Sequence, residues 1–167
     1  MNEIYLLTGG NLGNRLQNLQ SAANLIEKSA GTILKRSSVY ETAAWGFTAQ
    51  PSFLNQVLCI SSSLTPEELL QKLLIIEVEM GRKRMEKMGP RVIDIDILLY
   101  GDEIISTDDL MIPHPRIAER RFVLTPLNEI AAGAKHPVYQ QTIQQLLLAC
   151  PDNLEVNVYH SNQLRKS

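Results

Sequence analysis

Long apolar runs, paired cysteines, aromatic rings and a surplus of positive charge are all missing or scarce in this 167-residue chain. No stretch approaches the ~20 consecutive apolar residues that a spanning helix needs, so no membrane association is expected. Met1-Asn2-Glu3 lacks the basic start of a secretory signal, which predicts a cytoplasmic protein. The two cysteines, Cys59 and Cys150, have neither a CxxC spacing nor a neighbouring His. Neither a zinc site nor a disulfide framework is indicated, and both thiols are expected as small buried apolar residues. Sixteen Lys+Arg against eighteen Asp+Glu give a net charge of −2, which argues against nucleic-acid binding by whole-surface attraction but leaves a local basic patch open. The G-x-x-x-x-G-K-[ST] pattern is absent, ruling out a Walker-type nucleotide site. With 44% apolar and 20% charged residues, what remains is an ordinary globular domain.

Residues 3–8 (EIYLLT) read as a buried strand ending at Gly9-Gly10. Leu16, Leu19, Ala23 and Ile26 then recur at helical spacing up to Gly31. Residues 32–40 and 53–63 are rich in β-branched and apolar side chains and read as two further strands. Between them TAAWGFTAQP is broken by Gly and Pro, a candidate functional loop. Thr65-Pro66-Glu67-Glu68 combines an N-cap hydroxyl, Pro at the first helical position and a capping-box carboxylate. The helix it opens carries Leu69, Leu70, Leu73, Ile76 and Met80 inward and stops at Gly81. VIDIDILLY at 92–100 is the most strand-like stretch, with a turn at Gly101-Asp102 and a second short strand near 103–106. The order β-α-β-β-α-β predicts an α+β, ferredoxin-like core whose antiparallel sheet carries both helices on one face. Beyond it come helical segments near 117–121 and 123–131, a capped helix from Thr142 through Ala149, and LEVNVY as a last strand. No linker or repeat divides the chain, so residues 1–160 are expected as a single domain and 161–167 as a flexible tail.

Asp94 and Asp96 stand two apart in the predicted strand, so their side chains leave the same face with Cα atoms about 6.6 Å apart. Ile93, Ile95 and Ile97 point the other way. Two neighbouring carboxylates repel, and something positive must meet them. Salt bridges to Arg91 or a neighbour are the ordinary solution. A magnesium site is the sharper one, because Mg²⁺ takes hard oxygen ligands and keeps waters and phosphate oxygens around it. The preceding segment RKRMEKMGPR, 82–91, holds five cations and one Glu, a local +4 against −6 for the remainder. A charge run alone is usually a solvated face. Tethered to a carboxylate pair, Arg82, Arg84, Lys87 and Arg91 instead suit a polyphosphate held with metal.

Only nine residues are aromatic, and Trp45, Phe47 and Phe53 fall in or beside the 41–53 loop. Their ordinary role is to close the end of the core. Phe53 can also stack on a flat heterocycle whose polar edge the Asn55 amide reads, with Phe122 on the opposite side. Gly9-Gly10-Asn11-Leu12-Gly13 follows a strand but has the wrong spacing for a dinucleotide fingerprint, and reads as a structural turn. VIDIDILLY carries no internal aromatics of the kind an RNA-binding strand displays.

Taken together, GGNLGN at 9–14, YETAAWG at 40–46, QPSFLNQV at 50–57, IEVEMGRKR at 76–84, GPRVIDIDILLYG at 89–101 and PHPRIAERRFVLTPLNEIA at 113–131 resemble the 6-hydroxymethyl-7,8-dihydropterin pyrophosphokinases. The resemblance implies a ferredoxin-like fold and transfer of diphosphate from ATP to the pterin hydroxymethyl group, with release of AMP. It implies two Mg²⁺ ions on Asp94 and Asp96, and Arg82 and Arg91 stabilising the transferring phosphates. Glu77, Arg84, Lys87, Ile97, His114 and Arg120 match ATP contacts. Asn11, Thr42, Ala43, Trp45, Phe53, Asn55 and Phe122 match the pterin site. His114 corresponds to a phosphate contact, not a general base; Asp96 is the one candidate base. The stretch Thr42-Ala43-Ala44-Trp45-Gly46 lacks the family's prolines, and Lys87, Met88, Asp109 and Met111 also depart from its pattern, which implies altered ATP affinity. Small-molecule substrates, no nucleic acid, no membrane and a monomer are expected. A non-catalytic nucleotide-binding module and a metal-dependent nucleotidyltransferase are the competing readings.

Overall fold

The computed structural model describes residues 2–43, 51–81 and 92–160. Trp45, Phe47, Arg82, Arg84, Lys87, Met88, Arg91 and the tail 161–167 lie outside them. β1 (Asn2–Gly10) leads into α1 (Arg15–Ser29), then β2 (Thr32–Arg36), β3 (Tyr40–Thr42), β4 (Phe53–Ser62), α2 (Pro66–Glu79) and β5 (Asp94–Tyr100). The chain continues through β6 (Ile105–Ser106), β7 (Met111–Ile112), a 3-10 turn at Ile117–Glu119, α3 (Arg121–Ala131), α4 (Ile143–Leu148) and β8 (Val156–Val158). The main sheet runs β5-β1-β4-β3-β8, with β2 also pairing β4, and every pairing is antiparallel. Since β2 and β3 lie along successive parts of the same edge of β4, the first five strands have the predicted ferredoxin-like order.

Local chemistry accounts for the element ends. Asn14 caps α1 by accepting from Gln17 N, and Thr65 and Glu68 complete the expected capping box of α2. Thr142 and Gln145 form a second capping box at α4. Two expectations are corrected. The strand predicted over 32–40 breaks at 37–39, because the Ser37 hydroxyl accepts Val57 N (2.9 Å) while Ser38 N turns away to Glu129 (3.0 Å). The short strand near 103–106 is only Ile105–Ser106, and it pairs with β7 in a separate two-stranded sheet instead of returning along β5.

Two apolar cores sandwich the main sheet. On one face Leu19, Ala22, Ala23 and Ile26 of α1 and Leu69, Leu73 and Ile76 of α2 bury Ile4, Leu6, Leu58, Ile60, Ile93, Ile95 and Ile97. On the other face, α3 and α4 bring Val123, Leu124, Leu127, Ile143 and Leu146 over Tyr5, Leu7, Val57, Cys59 and Leu99. Cys59 and Cys150 are both buried and free, as expected. No described helix is long and apolar enough to cross a membrane.

Candidate active site

Antiparallel register assembles the polar groups. Asp94 of β5 pairs with Gly9 of β1, Gly9 with Asn55 of β4, and Asn55 with Tyr40 of β3, forming one cross-strand row. Residues opposite one another share a face, and every second residue along a strand returns to it. Asp96, Leu7 and Val57 therefore form the next row on the same face, and Phe53 with Thr42 the row on the other side. This is the face opposite α1 and α2. Asp94 and Asn55 are two strands apart, about 10 Å at the usual spacing. Between them Gly9 contributes no side chain, and a Cβ built there would come within 2.0 Å of Asn55 Nδ2 and 3.2 Å of the Leu54 carbonyl oxygen. Glycine is thus required for the Asn55 amide to lie across β1.

The amide is only partly satisfied. Asn55 is 6% exposed, and its Nδ2 donates a long bond to the Thr8 carbonyl (3.4 Å). Its Oδ1 is buried with no hydrogen-bond partner among the described residues, and so is the Thr42 hydroxyl oxygen. A third such atom, Asn128 Oδ1, lies on α3. Buried polar atoms are almost always paired, so two orphans on adjacent strands and one face mark a place where a polar ligand edge belongs. Phe53 is half-buried two residues from Asn55. Asn11 is buried, and its Nδ2 donates to the Pro51 carbonyl (3.1 Å), fastening the approach to β4. Ala43 is exposed.

At the opposite end of the row, Asp94 is half-buried and Asp96 exposed. Their strand is held from behind by Glu77 of α2, 4% exposed, whose Oε2 accepts the Ile95 N–H at 2.7 Å. Glu77 thereby sets β5 from a position between the two acids. Ile97 is buried in the core beneath α1 and α2, leaving its backbone as the part available to a ligand. His114 lies beside the same strand, its N–H donating to the Leu98 carbonyl at 3.0 Å. Its Nδ1 accepts Arg116 N (3.1 Å), so the ring proton resides on Nε2. Burial first, then Arg120 and Arg116, lowers the imidazole pKa to about 4, and the ring is a neutral donor at physiological pH. Phe122 is half-buried in the first turn of α3, with the Arg120 guanidinium 5.8 Å from its ring centroid.

Sequence reading missed a clamp at the base of the loop. Arg15 Nη1 donates to Glu41 Oε2 (3.0 Å) and to both the carbonyl and hydroxyl oxygens of Ser52 (2.9 Å each). The Ser52 hydroxyl in turn donates to Glu41 Oε2 at 2.6 Å. This hydroxyl bond first, then Arg15, holds the Glu41 carboxyl below the ordinary range. No local pattern signals a pair 26 residues apart. Glu129 was missed for the same reason: its carboxylate accepts from Ser38 N, Ser38 Oγ and the Tyr40 hydroxyl (2.7 Å), and burial with this bond pushes Tyr40 up to about 12. The surface groove between α1 and α2, lined by Leu25, Lys28, Lys72 and Ile75, is on the other face and has no such chemistry.

The sequence profile of the 7,8-dihydro-6-hydroxymethylpterin-pyrophosphokinase (HPPK) family matches residues 5–132. The chain is 46% identical over 145 residues to the 2-amino-4-hydroxy-6-hydroxymethyldihydropteridine pyrophosphokinase of Aquifex aeolicus, covering 87% of this chain and 90% of that one. It is 47% identical over 132 residues to the Bacillus subtilis protein of the same name, covering 78% and 79%. The Folic acid synthesis protein fol1 of Pneumocystis carinii is 44% identical over 135 residues, where the match covers 81% of this chain but 18% of that longer protein. Among solved structures, Plasmodium falciparum HPPK-DHPS with pteroate superposes with a TM-score of 0.73 at 18% identity, over 89% of this chain and 44% of that one, a likeness of fold.

Proposed function

Because the chain belongs to the HPPK family, we propose that it transfers diphosphate from ATP to the hydroxymethyl group of 6-hydroxymethyl-7,8-dihydropterin, releasing AMP, as a step of folate biosynthesis. The carrying observation is the row Asp94-Gly9-Asn55: paired acids and a partly unsatisfied amide share one face across a strand that bears no side chain between them. A bicyclic pterin seated by its edge on Asn55 and Thr42 extends its hydroxymethyl arm toward the acids.

The donor set fits Mg²⁺. Among the described residues no cluster of three or more His, Cys, Asp or Glu is poised to chelate a metal, and two carboxylates with room for water and phosphate oxygens is the arrangement Mg²⁺ favours. Asp94 and Asp96 would hold two such ions, which when bound supply neutralisation of charge on the transferring phosphates. The protein's own part is positioning. Asn55 Oδ1 accepts from the donor edge of the heterocycle, the Thr42 hydroxyl bonds beside it, and Phe53 and Phe122 stack on its faces. His114, neutral with its proton on Nε2, donates to a phosphate oxygen without adding a second titrating charge. Glu77 keeps β5 in place, and Arg120 with the cations of 82–91 supplies positive charge to the triphosphate. The hydroxymethyl oxygen then attacks the β-phosphorus in line and gives up its proton to solvent, while the bond from the β-phosphorus to the bridging oxygen of the α-phosphate breaks and AMP departs with that oxygen. Residues 1–160 act as one catalytic unit, since β8 completes the sheet that β1 begins.

Incubation with ATP, Mg²⁺ and hydroxymethyldihydropterin, with nucleotides resolved chromatographically, tests the reading. AMP formed in step with pterin consumption is expected. ADP or free pyrophosphate as the coupled product would overturn it.

A further inference from the structure

The segment Cys150–Tyr159 lies outside the family-matched 5–132, yet it is fastened to both sides of the pterin seat. Helix α3 begins without a side-chain cap from its own sequence. Asp152 supplies one from 31 residues away, its Oδ2 accepting Arg121 N at 3.0 Å. A carboxylate at this position also opposes the positive end of the helix dipole. Asp152 Oδ1 accepts Leu154 N (2.9 Å), and the Arg121 side chain wraps back onto the carbonyls of Asp152 (2.8 Å) and Cys150 (3.4 Å). The turn that carries Phe122 is thereby fixed to residues 150–154.

A few residues later the same segment becomes β8 and pairs with β3, Val156 opposite Thr42. Tyr159 N then donates to the Val39 carbonyl (2.8 Å), and the Tyr159 ring lies 5.5 Å beneath the Arg15 guanidinium. Arg15 is the centre of the clamp on Glu41 and Ser52, whose next residues are Thr42 and Phe53. Asp152 therefore reaches the Phe122 side of the seat, and Tyr159 the Thr42 and Phe53 side.

We propose that Cys150–Tyr159 is a brace that sets the separation of the two walls of the pterin seat, with Asp152 and Tyr159 as positioning residues that never touch the ligand. The proposal rests on the pterin reading above.

The test measures pterin affinity by pterin fluorescence in the presence of a nonhydrolysable ATP analogue, and nucleotide affinity and melting temperature alongside. Asp152→Ala and Tyr159→Ala are expected to weaken pterin binding about five- to tenfold, the scale of one lost helix cap, with nucleotide affinity within about twofold. Asp152→Asn keeps one acceptor oxygen and falls between. Thr142→Ala removes a cap of the same kind from α4, away from the seat, and should lower the melting temperature without changing pterin binding. If pterin and nucleotide affinities decline together in all three alanine variants, the segment is merely structural and the brace is overturned. Should Asp152→Ala unfold, Asp152→Asn decides: unchanged pterin affinity overturns the proposal. Phe122→Ala separates the two readings. Loss of pterin binding there with none in the Asp152 and Tyr159 variants sinks the brace alone; normal binding in Phe122→Ala sinks the pterin seat and the brace with it.

Discussion

Position 9 admits no side chain while Asn55 sits where it does. Gly9→Ala would force the Asn55 amide out of its place, because the displaced end is a short, buried side chain and the nearby Leu54 carbonyl is backbone. Overpacking of this kind costs roughly 1–3 kcal/mol. A lower melting temperature and at least tenfold weaker pterin binding are expected, read by calorimetry and fluorescence titration. Asp94→Ala or Asp96→Ala should lower kcat by at least about a hundredfold, the scale of losing a metal-held charge clamp, while circular dichroism keeps the native spectrum. Near-normal turnover in either variant would remove the metal assignment. His114 makes a pH prediction. Its folded pKa is about 4 against an ordinary 6.5, so the unfolded chain takes up the proton first as pH falls. The stability this ring contributes is whole above about pH 6.5 and is lost as pH falls through 4. Urea midpoints across that window should decline more steeply for the native protein than for His114→Asn. At this scale the acids were legible in sequence because period-two alternation places them opposite three isoleucines. The unsatisfied oxygens of Asn55 and Thr42 were not, since burial without a partner arises only when strands pair.

Elements whose ends are set by adjacent residues could be read in advance. The capping box at Thr65 and the cap at Thr142 act over three residues, and α2 and α4 begin one residue after those signals, whereas the Asn14 cap of α1 emerged only from the structure. The interruption between β2 and β3 was not readable. It depends on Glu129, 91 residues from the Ser38 backbone that it engages. Glu129→Ala is expected to cost about 1–2 kcal/mol in denaturant midpoint, the scale of the hydrogen bonds it removes, and to raise the KM for pterin more than that for ATP. Glu129→Gln, which keeps acceptor capacity, should recover part of both. In α3, Pro126 has no N–H to offer the Phe122 carbonyl, so the regular bond that would tighten this first turn is not made. That omission leaves its geometry to Asp152.

For the whole molecule, strand order followed from the alternation of element types, because short connections and crossover rules leave few arrangements. The second layer was less accessible. Sequence reading located the crossover helices on one face and gave the later helices no place; α3 and α4 cover much of the opposite face and leave the row from Asp94 to Asn55 at its margin. Both thiols are buried in the core beneath α3 and α4, and burial pushes the Cys59 thiol up although the Tyr5 hydroxyl bond opposes it. Neither should react with a disulfide reagent in the native state, whereas two equivalents should react in guanidinium; rapid native labelling would contradict the packing.

The outer margin of the sheet is formed by β5, the strand that carries the acids. Edge strands ordinarily invite pairing by another chain. Here Glu77 takes the Ile95 N–H and His114 donates to the Leu98 carbonyl, so two rungs on that margin are already filled from within. An enzyme needing small substrates to reach a sheet border must keep that border from zipping onto its own copies. The same glutamate that aligns the strand occupies an edge position that a second copy would need for pairing.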